Sequence, residues 1–239
     1  MAQRTEKVAE SVARQILQDI QRNHLEPGSM LPPENAMVER FRVGRGSLRE
    51  ALRILEVNGL VTLKPGPRGG PVVSPHDPGN FGRMMTLHLE SLGATYRQLL
   101  EARVEHEVVL ARKAAEQPGT SAGKLVRASL DPTDPASGDQ QYAHATSTFH
   151  RAVGKASGNP VLALAADSIY AIWSVRVTEV LYPTDERAHV LEQHEAIARA
   201  IEKRDPRRAE RLMREHMVEY VEYCEKRYAA RMDDIVDWK

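Results

Sequence analysis

The stretch that most constrains this chain runs from Pro32 to Leu60, PPENAMVERFRVGRGSLREALRILEVNGL. It reads as two short helices joined by a tight turn. The first starts near Glu34 and gathers Ala36, Met37 and Phe41 on an apolar face. The second begins at about Gly44 and carries Ser47, Leu48, Ala51, Leu52 and Leu55 at spacings of three and four. Asn58-Gly59 ends it, because both residues tolerate a left-handed cap. Arg40, Arg42, Arg45, Arg49 and Arg53 crowd the pair. Two short helices, the second opening with arginines, have the form of a helix-turn-helix that enters a major groove. Taken alone, the pattern reads more simply as a solvated arginine-rich helix pair. The flanking residues decide between the two.

Upstream, Val8, Val12, Ile16 and Ile20 recur every fourth residue, with Leu17 beside them, predicting a helix over residues 8–23. Gly28, Pro32 and Pro33 punctuate the turn that follows. Downstream, Leu60-Val61-Thr62-Leu63 and Pro71-Val72-Val73 flank KPGPRGG, the signature of a β-hairpin with Pro71 at an edge position. Three helices and a hairpin make a winged helix-turn-helix over residues 1–74. Its wing tip carries Lys64, Gly66 and Arg68 towards a phosphate backbone or minor groove. The charge distribution agrees. Residues 1–76 hold eleven Lys and Arg against eight Asp and Glu, a net charge of +3, although the whole chain is neutral.

These residues carry a specific resemblance. Leu25-x-Pro27-Gly28, Leu31-Pro32-x-Glu34, Phe41-x-Val43-x-Arg45, Leu48-Arg49-Glu50-Ala51-Leu52, Leu55 and Asn58-Gly59-Leu60-Val61 together resemble the DNA-binding domain of the GntR family of bacterial transcription regulators. The resemblance implies DNA contacts from Glu34, Arg42, Gly44, Arg45, Gly46, Ser47, Arg49, Lys64, Gly66 and Arg68. Arg45 and Arg49 are the candidates for reading guanine. Two departures stand out. Gly44 and Gly46 occupy positions where the family usually has Ser or Thr, and the wing is longer than usual. Helix N-terminal amides still hold phosphate without those hydroxyls.

SPHDPGN, residues 74–80, reads as a linker, with residues 75–80 separating the two domains. After it the pattern is helical throughout, with helices expected at residues 81–92, 95–117, 122–130, 139–157, 160–182, 185–204 and 206–231. Residues 81–239 are thus expected to form an all-helical bundle, the fold class is mainly α, and the GntR resemblance implies that this bundle binds an effector and dimerises. Cys224 is the only cysteine, which excludes an intrachain disulfide and a Cys-based zinc module and points to a reducing cytoplasm. The N-terminal MAQRTEKVAESVA lacks the apolar core of a signal peptide. The most apolar stretch, Pro160 to Trp173, is interrupted by Asp167 and Ser168, so no membrane span is expected.

Three of the nine histidines stand out in the helical region. His150 lines up with Thr146, Val153 and Ser157, His194 lies between Val190 and Ile197, and His216 lies between Met213 and Tyr220. Three helices each put one imidazole on an inward face. Singly, each reads most simply as a hydrogen-bonded core histidine. Together they predict a shared site suited to Zn, Ni or Mn. Arg103 and Glu107 share a face with Leu100 and Leu110, either as an effector-gripping pair or as a plain i,i+4 ion pair. Tyr170 and Trp173 read as core, and the terminal DDIVDWK reads as a solvated end.

Residues 80–230 resemble the FCD ligand-binding domain of the FadR subfamily of GntR regulators. The carriers are Glu101-x-Arg103-x-x-x-Glu107, Phe149-His150 with Asn159, His194-x-x-Ile197-x-x-Ala200-Ile201-x-x-x-Asp205 and Ala209-x-x-x-Met213-x-x-His216. The resemblance implies a metal held by His150, His194 and His216, with an Asp where this chain has Thr146. It further implies an effector site of Arg103, Glu107, Thr146 and the three histidines, taking an organic acid or an acyl thioester. The combined expectation is a homodimeric, cytoplasmic repressor whose affinity for operator DNA answers to a small effector. The alternative of a different class is a metal-dependent small-molecule hydrolase built on the three histidines.

Overall fold

The computed structural model describes residues 7–66, 69–75, 77–130, 138–176 and 186–238. Within them the chain forms ten helices and one two-stranded sheet. It divides into two compact units, residues 1–81 and 82–239. The expected architecture, a winged helix-turn-helix followed by a helical bundle, is the one observed.

In the first unit, α1 (Val8–Arg22), α2 (Glu34–Phe41) and α3 (Arg45–Val57) precede β1 (Val61–Lys64) and β2 (Gly70–Val73). The apolar stripe read from the sequence becomes the core. Val12, Ile16, Met37, Leu48, Leu52, Leu55, Val61 and Val73 are all buried together. The turn between α2 and α3 depends on Arg42 in a left-handed conformation, φ 53°, after which Gly44 opens α3. Gly59, φ 70°, ends α3 where the Asn58-Gly59 pair predicts a stop. The strands are antiparallel, with Val61 opposite Val73 and Lys64 opposite Gly70. At the wing, Gly69 N–H donates to the Gly66 carbonyl at 2.9 Å. A Cβ on Gly69 would meet the Lys64 carbonyl oxygen at 2.1 Å, so only glycine closes this turn. Pro67 and Arg68 lie outside the described residues, and with them the expected contact from Arg68.

Pro71 lies in one of the two strands of the sheet, an edge position as expected, with one isolated bridge, Met30 to Val72, on the outer side of β2. Residues 28–31 run along its outer side. Leu31 N–H donates to the Pro71 carbonyl at 2.9 Å, and Val73 exchanges bonds with Ser29 and Gly28. All of these use groups that proline retains or that its neighbour supplies, so the missing N–H costs nothing here.

The second unit is organised around α5 (Tyr96–Glu116). Packed with it are α6 (Ser121–Ala128), α7 (Asp139–Ala156), α8 (Pro160–Arg176), α9 (Arg187–Glu202) and α10 (Pro206–Met232). A capping box fixes the start of α5: Thr95 accepts from Gln98 N–H while the Gln98 side chain accepts from Thr95 N–H. Asn159 Oδ1 caps α8, accepting from Val161 and Leu162, and Asp205 caps α10 ahead of Pro206. The main core joins Val104, Val108, Phe149, Val153, Ile197, Ile201, Met213 and Met217.

Two expectations shift. α4 (Pro78–Leu92) begins inside the stretch read as linker. Asp77 Oδ1 accepts from Gly79 N–H at 2.9 Å and Pro78 stands at the first helical position, so DP acts as a helix start rather than a break. The acidic terminus is not a solvated end. Val236 is fully buried, and its N–H donates to the Ala94 carbonyl at 2.8 Å. The ends expected at residues 177–182 and at residue 185 lie outside the described residues. α10 also bends at Tyr228, which leaves the helical region at φ −133°, ψ 34°.

Candidate functional site

In the first unit the arginines of α3 form an exposed surface opposite its buried Leu48, Leu52 and Leu55. Arg49 Nε donates to Glu34 Oε2 at 3.2 Å, and Arg45 Nη2 donates to Asn35 Oδ1 at 3.4 Å. The start of α2 therefore steadies the two side chains expected to read bases. The Arg49 side chain keeps 72% of its exposure, so the pair orders it without removing it from the surface. Gly44 has ordinary backbone angles and open space around it, and no side chain caps α3. Bare amides at a helix start, arginines one turn apart and an exposed Lys64 suit phosphate backbones and base edges.

In the second unit α7, α9 and α10 bring His150, His194 and His216 together, all buried. Their Nε2 atoms face one another. His194 to His216 is 3.3 Å and His216 to His150 is 3.4 Å. One nitrogen from each of the three residues falls within 4.8 Å of the others. The ring of His194 stacks flat on Phe149, centroids 4.0 Å apart. Burial first, then the neighbouring imidazoles and Arg103, pushes His194 and His216 well below the ordinary histidine range. Both are neutral at physiological pH.

The tautomer of His216 is set by a chain of bonds. Gln193 Nε2 donates to Glu219 Oε2 at 2.6 Å, because a carboxylate can only accept. Gln193 Oε1 then faces His216 and accepts from its Nδ1–H at 2.8 Å. The lone pair of His216 Nε2 is left pointing into the cluster. His150 Nδ1 lies 3.0 Å from Glu107 Oε2. That distance is within hydrogen-bond reach, but the angle is not, so both atoms remain without a hydrogen bond and the contact is electrostatic. Burial raises the Glu107 carboxyl, yet His150 and Arg103 outweigh it and hold it below the usual carboxylate range.

A cavity of about 60 Å³ adjoins the imidazoles, with Arg103, Tyr142, Thr146, His150, Tyr170, His216 and Tyr220 among its walls. Arg103 is 3% exposed, with its guanidinium 4.9 Å from the Tyr170 ring centroid and 5.5 Å from that of Tyr220. Its Nε is 3.8 Å from Glu107 Oε1 and has no hydrogen bond. The buried hydroxyls of Thr146 and Tyr142 have no partner beyond one another. Burial pushes Tyr142 up to about 12, so this hydroxyl stays protonated and can donate. Tyr170, read from the sequence as core, is a wall of the cavity. Gln193, Tyr142 and Tyr220 were not singled out by sequence. A larger groove of about 440 Å³ lies in the first unit, against Ile16, Met30 and Phe41. The smaller cavity is the better candidate, because buried polar groups without partners converge only on it.

The residues fit a nitrogen-bound divalent ion. Nitrogens about 2.0–2.1 Å from a tetrahedral zinc stand about 3.3 Å apart, close to the 3.3 and 3.4 Å that separate His216 from His194 and His150, while the three together span up to 4.8 Å. Neutral rings with lone pairs facing inward repel unless a proton or cation lies between them.

A winged helix-turn-helix joined to a helical bundle with a buried polar pocket defines a ligand-responsive DNA-binding regulator. Residues 8–69 match the bacterial regulatory proteins of the gntR family, and residues 98–219, half of the chain, match the FCD domain. The chain belongs to the GntR family of bacterial regulators, in the branch that carries an FCD domain. It is similar to the uncharacterized HTH-type transcriptional regulator YcbG of Bacillus subtilis, 28% identical over 228 residues, covering 95% of this chain and 92% of that one. It is also similar to the HTH-type transcriptional repressor NanR of Cronobacter sakazakii, 29% identical over 220 residues, covering 88% and 83%. Among solved structures, Streptococcus agalactiae GntR superposes with a TM-score of 0.64 at 22% identity, covering 90% of this chain and 99% of that one, a likeness of fold. The protein is thus a DNA-binding transcription regulator with an effector-binding helical domain, and not an enzyme. The hydrolase alternative finds no support among these relatives. Among the described residues no helix is long and apolar enough to cross a membrane.

Proposed function

We propose that the protein is a cytoplasmic homodimeric repressor, released from or tightened on its operator by a small carboxylic acid bound beside His150, His194 and His216. One observation carries the reading: the Arg103 Nε is buried without a hydrogen bond, and the Thr146 and Tyr142 hydroxyls have no partner beyond one another, around a cavity lined by His150 and His216 of the cluster. Buried polar groups in native proteins are normally satisfied, so these await a partner. An anion answers all of them. Arg103, sandwiched by two tyrosines and never neutral, presents a fixed fork. Thr146 and Tyr142 donate to a second oxygen.

His150, His194 and His216 would hold Zn, Ni or Mn through nitrogen, and a cation there supplies positive charge next to the ligand oxygens. Size narrows the effector. At about 10–15 Å³ per water, 60 Å³ holds about four to six waters, which favours a small organic acid over an acyl thioester. The repressor sense is supported by the printed name of NanR, and the homodimer by the two half-sites that a single winged helix cannot read alone.

The test is a gel shift on an operator selected from random DNA by the protein itself, with and without two- to six-carbon carboxylates, alongside sedimentation of the free protein. A shift in operator affinity caused by one such acid, lost in Arg103→Leu, supports the reading. Equal affinity with every acid, or a monomer at micromolar concentration, defeats it.

A further inference from the structure

We propose that Glu107 is the anionic positioning residue of the histidine cluster, supplying from one shell out the negative charge that the three imidazoles lack. The proposal rests on the cluster being a metal centre. Thr146, on the same helix face as His150, offers only a hydroxyl, so among the described residues no carboxylate stands with the three imidazoles as a direct ligand. A divalent ion buried among neutral groups is poorly compensated.

Glu107 is the carboxylate that touches the cluster. It is 2% exposed, and its Oε2 lies 3.0 Å from His150 Nδ1, on the side of the ring away from the centre. A carboxylate at that distance favours the proton on Nδ1 electrostatically, which leaves the Nε2 lone pair facing His216 and makes it more basic. The competing role, partner to Arg103, is poorly served by the geometry. The Arg103 Nε contact is 3.8 Å and is no hydrogen bond, while the guanidinium lies against Tyr170 and Tyr220. Glu107 Oε2 has no hydrogen bond to any other residue, so the oxygen beside His150 is not drawn away from it. The Gln193–Glu219 pair performs the same orienting task for His216 with a neutral amide. The charge must therefore come through His150.

The experiment uses untagged full-length protein stripped with chelator and titrated with Co²⁺ and Zn²⁺, followed by cobalt absorption and elemental analysis. Wild type is expected to bind one equivalent. Glu107→Gln keeps the shape and removes the charge, and is expected to bind 10–100-fold more weakly. Adding Thr146→Asp to both wild type and that variant is expected to narrow the gap between them, a rescue that a merely structural role for Glu107 would not allow. Wild-type protein that binds neither ion overturns the metal centre itself. Wild-type binding with Glu107→Gln equally tight, or with no rescue by Thr146→Asp, overturns the role of Glu107 alone. Should the variant fail to fold, long-range ¹H–¹⁵N correlation on wild type decides. A His150 protonated on Nδ1 supports the proposal, and one protonated on Nε2 overturns it.

Discussion

Acid should unfold the helical unit well above the pH at which its carboxylates titrate. His194 and His216 are held neutral, far below the ordinary range, chiefly by burial. The unfolded chain protonates both near 6.5 and the folded chain does not, so the unfolded state binds more protons and stability falls with pH. The loss begins near 6.5 and continues down to the depressed folded values. Each imidazole contributes about 1.4 kcal/mol per pH unit, so two of them remove about 3 kcal/mol between pH 7.5 and 5.5. Glu105, Glu107 and Glu195, all held low, titrate below this window. Asp167, raised by burial, acts in the opposite sense. Both tryptophans, Trp173 and Trp238, lie in the helical unit, so their fluorescence reports it selectively. For metal-free protein, the urea midpoint should drop by about 1–2 M at an m-value of about 2 kcal/mol/M. The His194→Gln/His216→Gln double variant should lose most of that drop. Coincident midpoints for wild type at the two pH values, or an undiminished drop in the double variant, would refute the reasoning.

Other outcomes follow from the same geometry. Arg45→Ala and Arg49→Ala should each weaken operator binding by about 1–3 kcal/mol per site, while the exposed Arg49–Glu34 pair costs under about 1 kcal/mol of stability when broken. Lys64→Ala should instead lower the salt dependence of binding without changing sequence preference, as measured by fluorescence anisotropy across ionic strengths. Gly44→Ser should stabilise the DNA-binding unit by about 0.5–1 kcal/mol, since the position has ordinary angles and open space and serine adds a cap. Unchanged or lower stability in calorimetry would mean the cap does not form. Val236→Asp should cost about 3 kcal/mol or more by placing a charge where the side chain is fully buried, and a wild-type melting curve would show the terminus undocked in solution.

The architecture was legible because its signals are local. Apolar spacings of three and four, the Asn58-Gly59 stop and the glycine-rich wing each act within a few residues, and Leu48, Leu52 and Leu55 went where the period sent them. The convergence of His150, His194 and His216 was legible for a related reason, since helical period alone turns each ring inward. What period cannot show is who stands behind each ring. Gln193 lies one residue from His194 yet serves His216 on another helix. Tyr170 reads as core because its helix is apolar on every side, and only tertiary packing reveals that its ring lies against Arg103. The terminal DDIVDWK misleads for want of context: its apolar residues are few and set among charges, and Val236 is buried because Ala94 and Asp234 bond the backbone down on either side of α5's start.

The side-chain amide of Gln193 has a consequence for engineering. Its two ends are chemically unlike, and Glu219, an ordinary surface carboxylate by its 49% exposure, decides which end faces inward. Surface scans and crystallisation programmes routinely choose such glutamates for replacement by alanine. At this position the exchange would free the amide to turn, offer N–H instead of carbonyl oxygen to His216, and move the proton on that ring from one nitrogen to the other. A residue that looks dispensable from outside thus holds the interior in one of two mirror-related wirings.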